Sequence, residues 1–194
     1  MRKFGFLAAL VLLGPATTAC SSSTAPAQST ANATDASPGD SGYTGCAGGQ
    51  LAEMYAPDMV QHGAMGNLSF ELVQVMVPNS QGVMTAGPPS EGTDQWTLKV
   101  LDKSGAPVTD ATFPVPTVVP TGCPAVPAMW SVGVYACMPL HGHGTSQPSL
   151  MPNGDGTYTI DGLYFFMPGL WQIEINAKSG AVTDVGTFSF CIDG

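Results

Sequence analysis

Residues 170–177 (LWQIEINA) and residues 182–191 (VTDVGTFSFC), separated by the turn signal at residues 178–180 (KSG), decide the fold of this chain. Both segments are rich in apolar, aromatic and β-branched side chains that tend to alternate with polar ones, as in half-buried β-strands. The whole sequence has 24 Gly, 17 Pro and only 10% charged residues. This composition favours β-structure joined by many turns.

Five earlier segments show the same strand character. They are residues 68–77 (LSFELVQVMV), 95–101 (QWTLKVL), 111–119 (ATFPVPTVV), 131–138 (SVGVYACM) and 157–166 (TYTIDGLYFF). Prolines at positions 114 and 116 cannot donate to a ladder, so the third segment is expected to be an edge or bulged strand. Residues 51–56 are the one stretch that favours a short helical turn. Seven short strands with regular turns predict an all-β fold, specifically an immunoglobulin-like antiparallel β-sandwich.

Five large aromatic side chains fall at positions where the strand pattern predicts inward-facing residues. They are Phe70, Trp96, Phe165, Trp171 and Phe188. We expect these side chains to pack in the core of the sandwich.

The first nineteen residues carry the features of an export signal. Arg2 and Lys3 precede an apolar run at residues 4–13, which is too short to span a bilayer. Residues 17–20 (TTAC) resemble the lipobox of bacterial lipoproteins, in which the Cys thiol is lipidated before the signal is cut. We therefore expect residues 1–19 to be a lipoprotein signal peptide and Cys20 to carry the membrane anchor. The alternative is an ordinary secretory signal cleaved nearby.

The segment after Cys20 has a different composition from the rest of the chain. Residues 21–45 contain almost no large apolar side chains, so they cannot bury enough surface to offset the entropy of ordering. We expect residues 20–45 to form a lipidated flexible linker and residues 46–194 to form the folded domain. Ser21, which follows the lipid-bearing Cys where an Asp would retain the protein in the inner membrane, favours sorting to the outer membrane.

The charge balance excludes one class of partner. After removal of the signal the chain carries three lysines and no arginine against fourteen carboxylates, a net charge of −11. Nucleic-acid binding requires clustered basic residues that neutralise phosphates, so no nucleic-acid partner is expected. An anionic lipid surface would also repel the domain, so membrane attachment must come from the lipid at Cys20.

Four cysteines remain in the predicted domain. An even number in an oxidising compartment indicates two disulfides, for which three connectivities exist. We favour Cys123–Cys137, which closes a short loop, together with Cys46–Cys191, which joins the two ends of the domain. The chain contains no Cys-x-x-Cys sequence, so neither a redox motif nor a zinc knuckle is indicated.

Two of the three histidines lie in residues 138–144 (MPLHGHG). Side chains at i and i+2 of extended backbone project to one face, and the glycine between them leaves both rings free to turn. Imidazole and thioether ligands together suit copper, with the thioether favouring Cu(I). The pattern predicts a copper site formed by His141, His143 and Met138, with Met167 from another loop. The alternative is that both rings hydrogen-bond to loop carbonyls and brace a glycine-rich turn.

Other chemistry receives less support from the sequence. His62, with Met59 and Met65 on either side, is a weaker candidate for the same kind of metal site. The sequence contains no Gly-x-Ser-x-Gly, His-Glu-x-x-His or Ser-x-x-Lys motif, so we expect a protein that is not an enzyme. Asp155 is expected to be a turn residue, because the rest of a calcium-binding loop is missing.

Residues 138–144, 155–158 (DGTY) and 166–171 (FMPGLW) together resemble the YtkA-like domain family. Residues 95–100 and 105–108 fit the same pattern, so the resemblance runs from about residue 68 to residue 191. It implies a small extracytoplasmic β-sandwich, similar to the FixH-type proteins found near cytochrome oxidase and copper-handling genes.

These observations predict a membrane-anchored extracytoplasmic lipoprotein that binds copper or assists the assembly of a copper protein. Its partner would then be a cuproprotein or another protein of the cell envelope. The alternative is a metal-free adhesion or scaffold module, in which residues 138–144 have a purely structural role.

Overall fold

A computed structural model describes residue 46 and residues 52–193 of the chain. The predicted signal peptide, Cys20 and the linker up to residue 45 lie outside the described residues. Within this part the chain forms ten strands and no helix, so no helix there is long and apolar enough to cross a membrane.

The strands form two antiparallel sheets whose inner faces share one hydrophobic core, which is the predicted all-β sandwich. The first sheet has the order β1-β2-β4-β8-β7, with β3 paired to the far part of β2, and the second has the order β10-β9-β5-β6. The first sheet contains β1 (Met59–His62), β2 (Leu68–Pro78), β3 (Met84–Ala86), β4 (Gly92–Asp102), β7 (Ser149–Pro152) and β8 (Thr157–Phe165). The second contains β5 (Val134–Met138), β6 (His143–Gly144), β9 (Gly169–Ser179) and β10 (Val182–Ile192).

Six of the seven predicted strands are confirmed, but the structure has ten strands rather than seven. The four additional strands, β1, β3, β6 and β7, are two to four residues long. A strand of this length shows too few alternating positions for its periodicity to be visible in the sequence.

The predicted strand at residues 111–119 is wrong. Only Thr112 forms a bridge, to Lys178, and the remainder of the segment joins neither sheet. Proline nitrogens at two of its positions cannot supply ladder hydrogen bonds. The segment instead begins a long connection to β5 whose side chains Val115 and Val119 pack with Trp130 in a second, smaller hydrophobic cluster.

The short helical turn predicted at residues 51–56 is also wrong for its described part, residues 52–56, which form no helix. The Glu53 backbone N–H donates to Ser189 O on β10 (2.6 Å), and Ser189 N donates back to the Glu53 carboxylate (3.0 Å). The other carboxylate oxygen of Glu53 accepts a hydrogen bond from Gln61 of β1. The segment therefore closes the seam between the edge strands of the two sheets.

Aromatic side chains fill the centre of the sandwich. All five predicted core aromatics are fully buried. The ring centroid of Trp96 on β4 lies 6.3 Å from that of Phe165, 6.1 Å from that of Phe188 and 5.7 Å from that of Phe190. Opposite Phe70 the second sheet carries Gly186, where a Cβ atom would collide with the Phe70 ring. The aromatic core therefore requires a residue without a side chain at this point of β10.

The structure contains both disulfides that the sequence favours. Cys46 is bonded to Cys191 near the end of β10, with Cα atoms 5.6 Å apart. Cys123 is bonded to Cys137 of β5, with Cα atoms 5.9 Å apart, and this bridge holds the long connection against the outer face of the second sheet. Disulfides persist in oxidising compartments, so both bridges fit an extracytoplasmic location.

A buried carboxylate joins β10 to the turn between β1 and β2. Asp184 is fully buried, and its Oδ1 accepts from the backbone N–H groups of Met65 (2.8 Å) and Val185 (2.9 Å). Its Oδ2 accepts from those of Asn67 (2.6 Å) and Leu68 (3.0 Å). Burial alone would raise the pKa of Asp184, but the four N–H donors favour the charged form and lower the pKa below its ordinary value.

Candidate functional site

The two neighbouring histidines lie on a tight turn between β5 and β6. The turn begins at Met138, whose carbonyl oxygen accepts from the backbone N–H groups of His141 (3.2 Å) and Gly142 (2.9 Å). Gly142 has a φ of 61°, a conformation that glycine adopts without strain. We call residues 138–144 the HGH turn. Its shape is fixed by backbone hydrogen bonds and does not depend on the two imidazoles.

The imidazole rings of His141 and His143 stand beside one another on the surface. Both residues are exposed, their ring centroids are 6.3 Å apart, and the ring planes differ by only 8°. Within residues 52–193 neither ring makes a side-chain hydrogen bond, so the structure shows none of the bracing bonds to loop carbonyls that the alternative interpretation expects. The ring of His143 also rests edge-on against Phe166, at 5.8 Å between centroids. Among the described residues, therefore, nothing occupies the four ring nitrogens that an external ligand would use.

The two methionines are less exposed to solvent than the two histidines. Met138 lies directly opposite His143 in the β5–β6 register, so both side chains are on one face of the sheet, but Met138 is only 1% exposed and belongs to the core. Met167 is partly buried and packs against the same core, and its carbonyl oxygen accepts from the Trp171 indole (3.0 Å). The structure thus brings the two imidazoles together, while the Met138 thioether, on the strand paired with His143, is buried in the core.

The Cys123–Cys137 bridge lies directly beside the HGH turn in the chain and in the sheet. Cys137 immediately precedes Met138 and pairs with Gly144 of β6. The neighbouring Gly122 has a φ of 91° and lies so close to the turn that a Cβ atom would collide with the Pro139 carbonyl. The long connection is thus packed directly against the turn, which limits how far the backbone between β5 and β6 can move.

His62 lies away from the HGH turn, on the outer face of the first sheet. Its Nδ1 is 3.0 Å from Ser69 Oγ on the neighbouring strand β2. Met59 packs against the core on the opposite face of β1, and Met65 is exposed in the turn that follows. Strand geometry therefore separates Met59 from His62, and the three residues do not form one cluster.

A buried carboxylate near the start of β4 is not predicted from the sequence. Asp94 is fully buried, its Oδ2 accepts from the Ser90 backbone N–H (3.2 Å), and its Oδ1 has no hydrogen-bond partner in the described part of the chain. Burial raises the pKa of Asp94 to about 7, and the Ser90 N–H and the nearby Trp96 indole offset only part of this effect. Alternation along the strand could have revealed this burial. Asp94 is separated from Trp96 by one residue, as Trp96 is from Leu98, so all three side chains point to the inward face of β4.

Ionisation of Asp94 should make the domain less stable as the pH rises. The carboxyl of Asp94 stays protonated in the folded state up to about pH 7, whereas in the unfolded state it ionises at its ordinary pKa of 3.8, so stability should fall between those two pH values. We expect Asp94→Asn to remove this dependence and to raise the melting temperature at pH 8 by roughly 4–8 °C, for about 2 kcal/mol. Melting curves of both proteins from pH 4 to pH 8 test this. Parallel pH profiles would contradict it.

No group of three or more His, Cys, Asp or Glu side chains that could hold a metal ion occurs within residue 46 and residues 52–193. A site at the HGH turn would therefore depend on two imidazoles and on the nearby thioethers. Comparison of the chain with protein-family models, with curated proteins and with solved structures finds no match in any of the three.

Proposed function

We propose that this chain is a non-enzymatic, lipid-anchored protein of the cell envelope whose YtkA-like sandwich domain binds copper at the HGH turn or helps a copper protein to assemble. The observation that carries the proposal is the exposed pair of parallel imidazoles, His141 and His143, which have no hydrogen-bond partner within the described residues. Two imidazoles held on a fixed turn offer a ready pair of nitrogen ligands for copper.

The thioethers give the proposed site its preference between copper oxidation states. Met138 lies opposite His143 in the β5–β6 register, with its side chain on the same face of the sheet, and Met167 follows Phe166, whose ring contacts His143. Soft sulfur prefers Cu(I) to Cu(II), so a site that recruits either thioether should favour the reduced ion. Because Met138 is buried, its sulfur can join the site only if the side chain shifts at the edge of the core.

The compartment and the anchor fit this proposal. Two disulfides are compatible with an oxidising, extracytoplasmic environment. The lipobox-like residues 17–20 support anchoring through Cys20, and Ser21 supports the outer membrane as the destination. A metal-free scaffold or adhesion module remains the competing function.

Copper titration separates the two functions. We expect the apo domain to bind Cu(I) more tightly than Cu(II) in competition with a chelator, and we expect His141→Ala and His143→Ala each to lower the Cu(I) affinity at least tenfold. Because both rings are exposed, neither change should alter the free energy of unfolding of the apo protein by more than about 0.5 kcal/mol. Binding should weaken in acid, since a protonated imidazole cannot ligate a metal.

Three further variants sharpen this test. His62→Ala is the matched control, because His62 is an exposed histidine on another part of the domain and should leave copper affinity unchanged. Met138→Leu and Met167→Leu conserve volume, and we expect them to reduce the preference for Cu(I) over Cu(II) while the imidazoles still bind. A wild-type domain that binds neither ion would refute the copper function and favour the scaffold.

A further inference from the structure

The strand register places the HGH turn at one particular end of the sandwich. β5 runs antiparallel to β9, with Val134 opposite Ile175 and Cys137 opposite Gln172, so β5 ends where β9 begins. β10 also runs antiparallel to β9, and Ile192 near its end lies opposite Gly169. The end of β5, the start of β9 and the end of β10 therefore share one end of the second sheet, which we call the tether end.

The linker joins the folded domain at this same end. Cys46, the first described residue, is covalently bonded to Cys191, which lies opposite Leu170 at the start of β9. In the order β10-β9-β5-β6, three strand spacings separate Cys191 from His143, or roughly 14 Å. The point at which the chain enters the domain and the proposed copper ligands thus lie on one short face.

The opposite end of the domain is much farther from the point of attachment. β9 and β10 are each eleven residues long, so the turn between them, which contains Ala181, lies about 35 Å from the tether end. The predicted linker of residues 20–45 has a root-mean-square span of only about 25–30 Å if it is a flexible coil. The distance from the membrane to the HGH turn is then set by the linker alone, whereas the distance to Ala181 also includes the length of the domain.

We propose that the tether end is the face presented to the bilayer, so that the HGH turn stands beside the membrane surface. This inference rests on the proposed lipid anchor at Cys20. The face carries exposed apolar surface, because Leu140 at the tip of the turn is 70% exposed and Tyr164, whose ring lies 6.1 Å from that of Phe166, is 45% exposed.

Energy transfer to labelled lipid tests this orientation with the full lipidated chain. Leu140→Cys and Ala181→Cys each place one thiol on an exposed turn, at the tether end and at the opposite end respectively. Each variant receives the same donor dye and is reconstituted in phosphatidylcholine vesicles that carry an acceptor on the headgroup. Zwitterionic lipid is chosen because the domain is strongly acidic and would be repelled by anionic headgroups. Both labelled proteins must melt at the temperature of the unlabelled chain.

A shorter linker should increase the difference between the two labels. Deleting residues 25–40 leaves nine residues between Cys20 and Cys46, so the Cα atoms of the two cysteines can lie at most about 35 Å apart. We expect the label at position 140 to show at least twofold more transfer than the label at position 181 in this chain, and a smaller excess in the full-length chain. Equal transfer from both labels, or greater transfer from position 181, would overturn the inference.

Failure of the proposed function gives a different result. In a Cys20→Ala background the chain should leave the vesicles and transfer should disappear. If transfer persists there, the anchor is wrong and the proposed orientation falls with it. If the domain binds no copper but the two labels still differ as expected, the copper function fails while the tether end still faces the membrane.

Discussion

Replacement of Asp184 by alanine should lower the free energy of unfolding by about 4 kcal/mol, because it leaves one buried and three partly buried backbone N–H groups without their acceptor. Asp184→Asn should be nearly as damaging. Each carboxylate oxygen accepts from two N–H groups, so the amide NH₂ would face two donors whichever way the side chain is turned. Chemical denaturation at pH 7 measures both losses.

The matched control for this prediction is Asp155→Ala. Asp155 also accepts hydrogen bonds at a turn, from the backbone N–H and hydroxyl of Thr157, but it is exposed and water can replace it. We expect a much smaller loss of stability from this change than from Asp184→Ala. Similar losses in the two variants would show that the buried carboxylate has no special role in joining β10 to the β1–β2 turn.

Asp184 and Asp94 should act on stability in opposite directions as the pH changes. The pKa of Asp184 is lowered by folding, so its contribution is present above the unfolded pKa and disappears as the pH falls through the folded pKa. The pKa of Asp94 is raised by folding, so the ionisation of Asp94 lowers the free energy of unfolding as the pH rises. Together these two carboxyls should move the pH of maximum stability to the acid side of neutrality.

Removal of the Cys46–Cys191 bridge should cost about 4–5 kcal/mol, because the bridge closes a loop of 145 residues in the unfolded chain. The double variant Cys46→Ala/Cys191→Ala tests this without leaving a free thiol. Cys123→Ala/Cys137→Ala is the comparison, since that bridge closes only 14 residues and should contribute about 3 kcal/mol in the same chain-entropy model. Denaturation of the two variants against the wild type should therefore rank the long bridge above the short one.

The reverse ranking would be informative. It would mean that the Cys123–Cys137 bridge stabilises the native state beyond its effect on chain entropy, through the cluster of Trp130 and Tyr135 that it holds against the second sheet. In that case copper affinity at the HGH turn should also decrease in the Cys123→Ala/Cys137→Ala variant, because Cys137 directly precedes Met138.

Periodicity predicted the long strands of this fold well because each of them has one face in the core. In β4 every second residue from Asp94 to Val100 is buried, and in β10 every second residue from Asp184 to Ile192 is buried. The pattern did not show the order of the strands, which depends on how the two inner faces fit together. It also failed at residues 111–119, where Phe113 packs against the main core and Val115 and Val119 pack in the smaller cluster, although the segment joins neither sheet as a strand.

The candidate site was predicted only in part. His141 and His143 lie side by side as the spacing suggested, but the predicted reason is wrong, because His141 and Gly142 belong to a tight turn and not to extended backbone. The spacing gave no information on whether Met138 would be exposed, since that depends on Trp171 and the other core side chains contributed by distant strands. The two inward carboxylates were overlooked because aspartate usually signals a turn, although both occupy positions with the parity of core residues.

The bond between Cys46 and Cys191 also determines how the domain bears mechanical load. A pull on the chain ahead of Cys46 passes through the sulfur atoms to β10 and does not act on residues 52–62. Where the opposing force acts on the first sheet, the pull is directed along β10, whose eleven residues are all paired with β9, so the ladder is sheared as a whole and its hydrogen bonds share the load. Without the bridge the same pull would peel the seam segment and β1 from the sandwich one contact at a time. A reductant should therefore turn a domain that resists stretching into one that yields progressively from its N-terminal side.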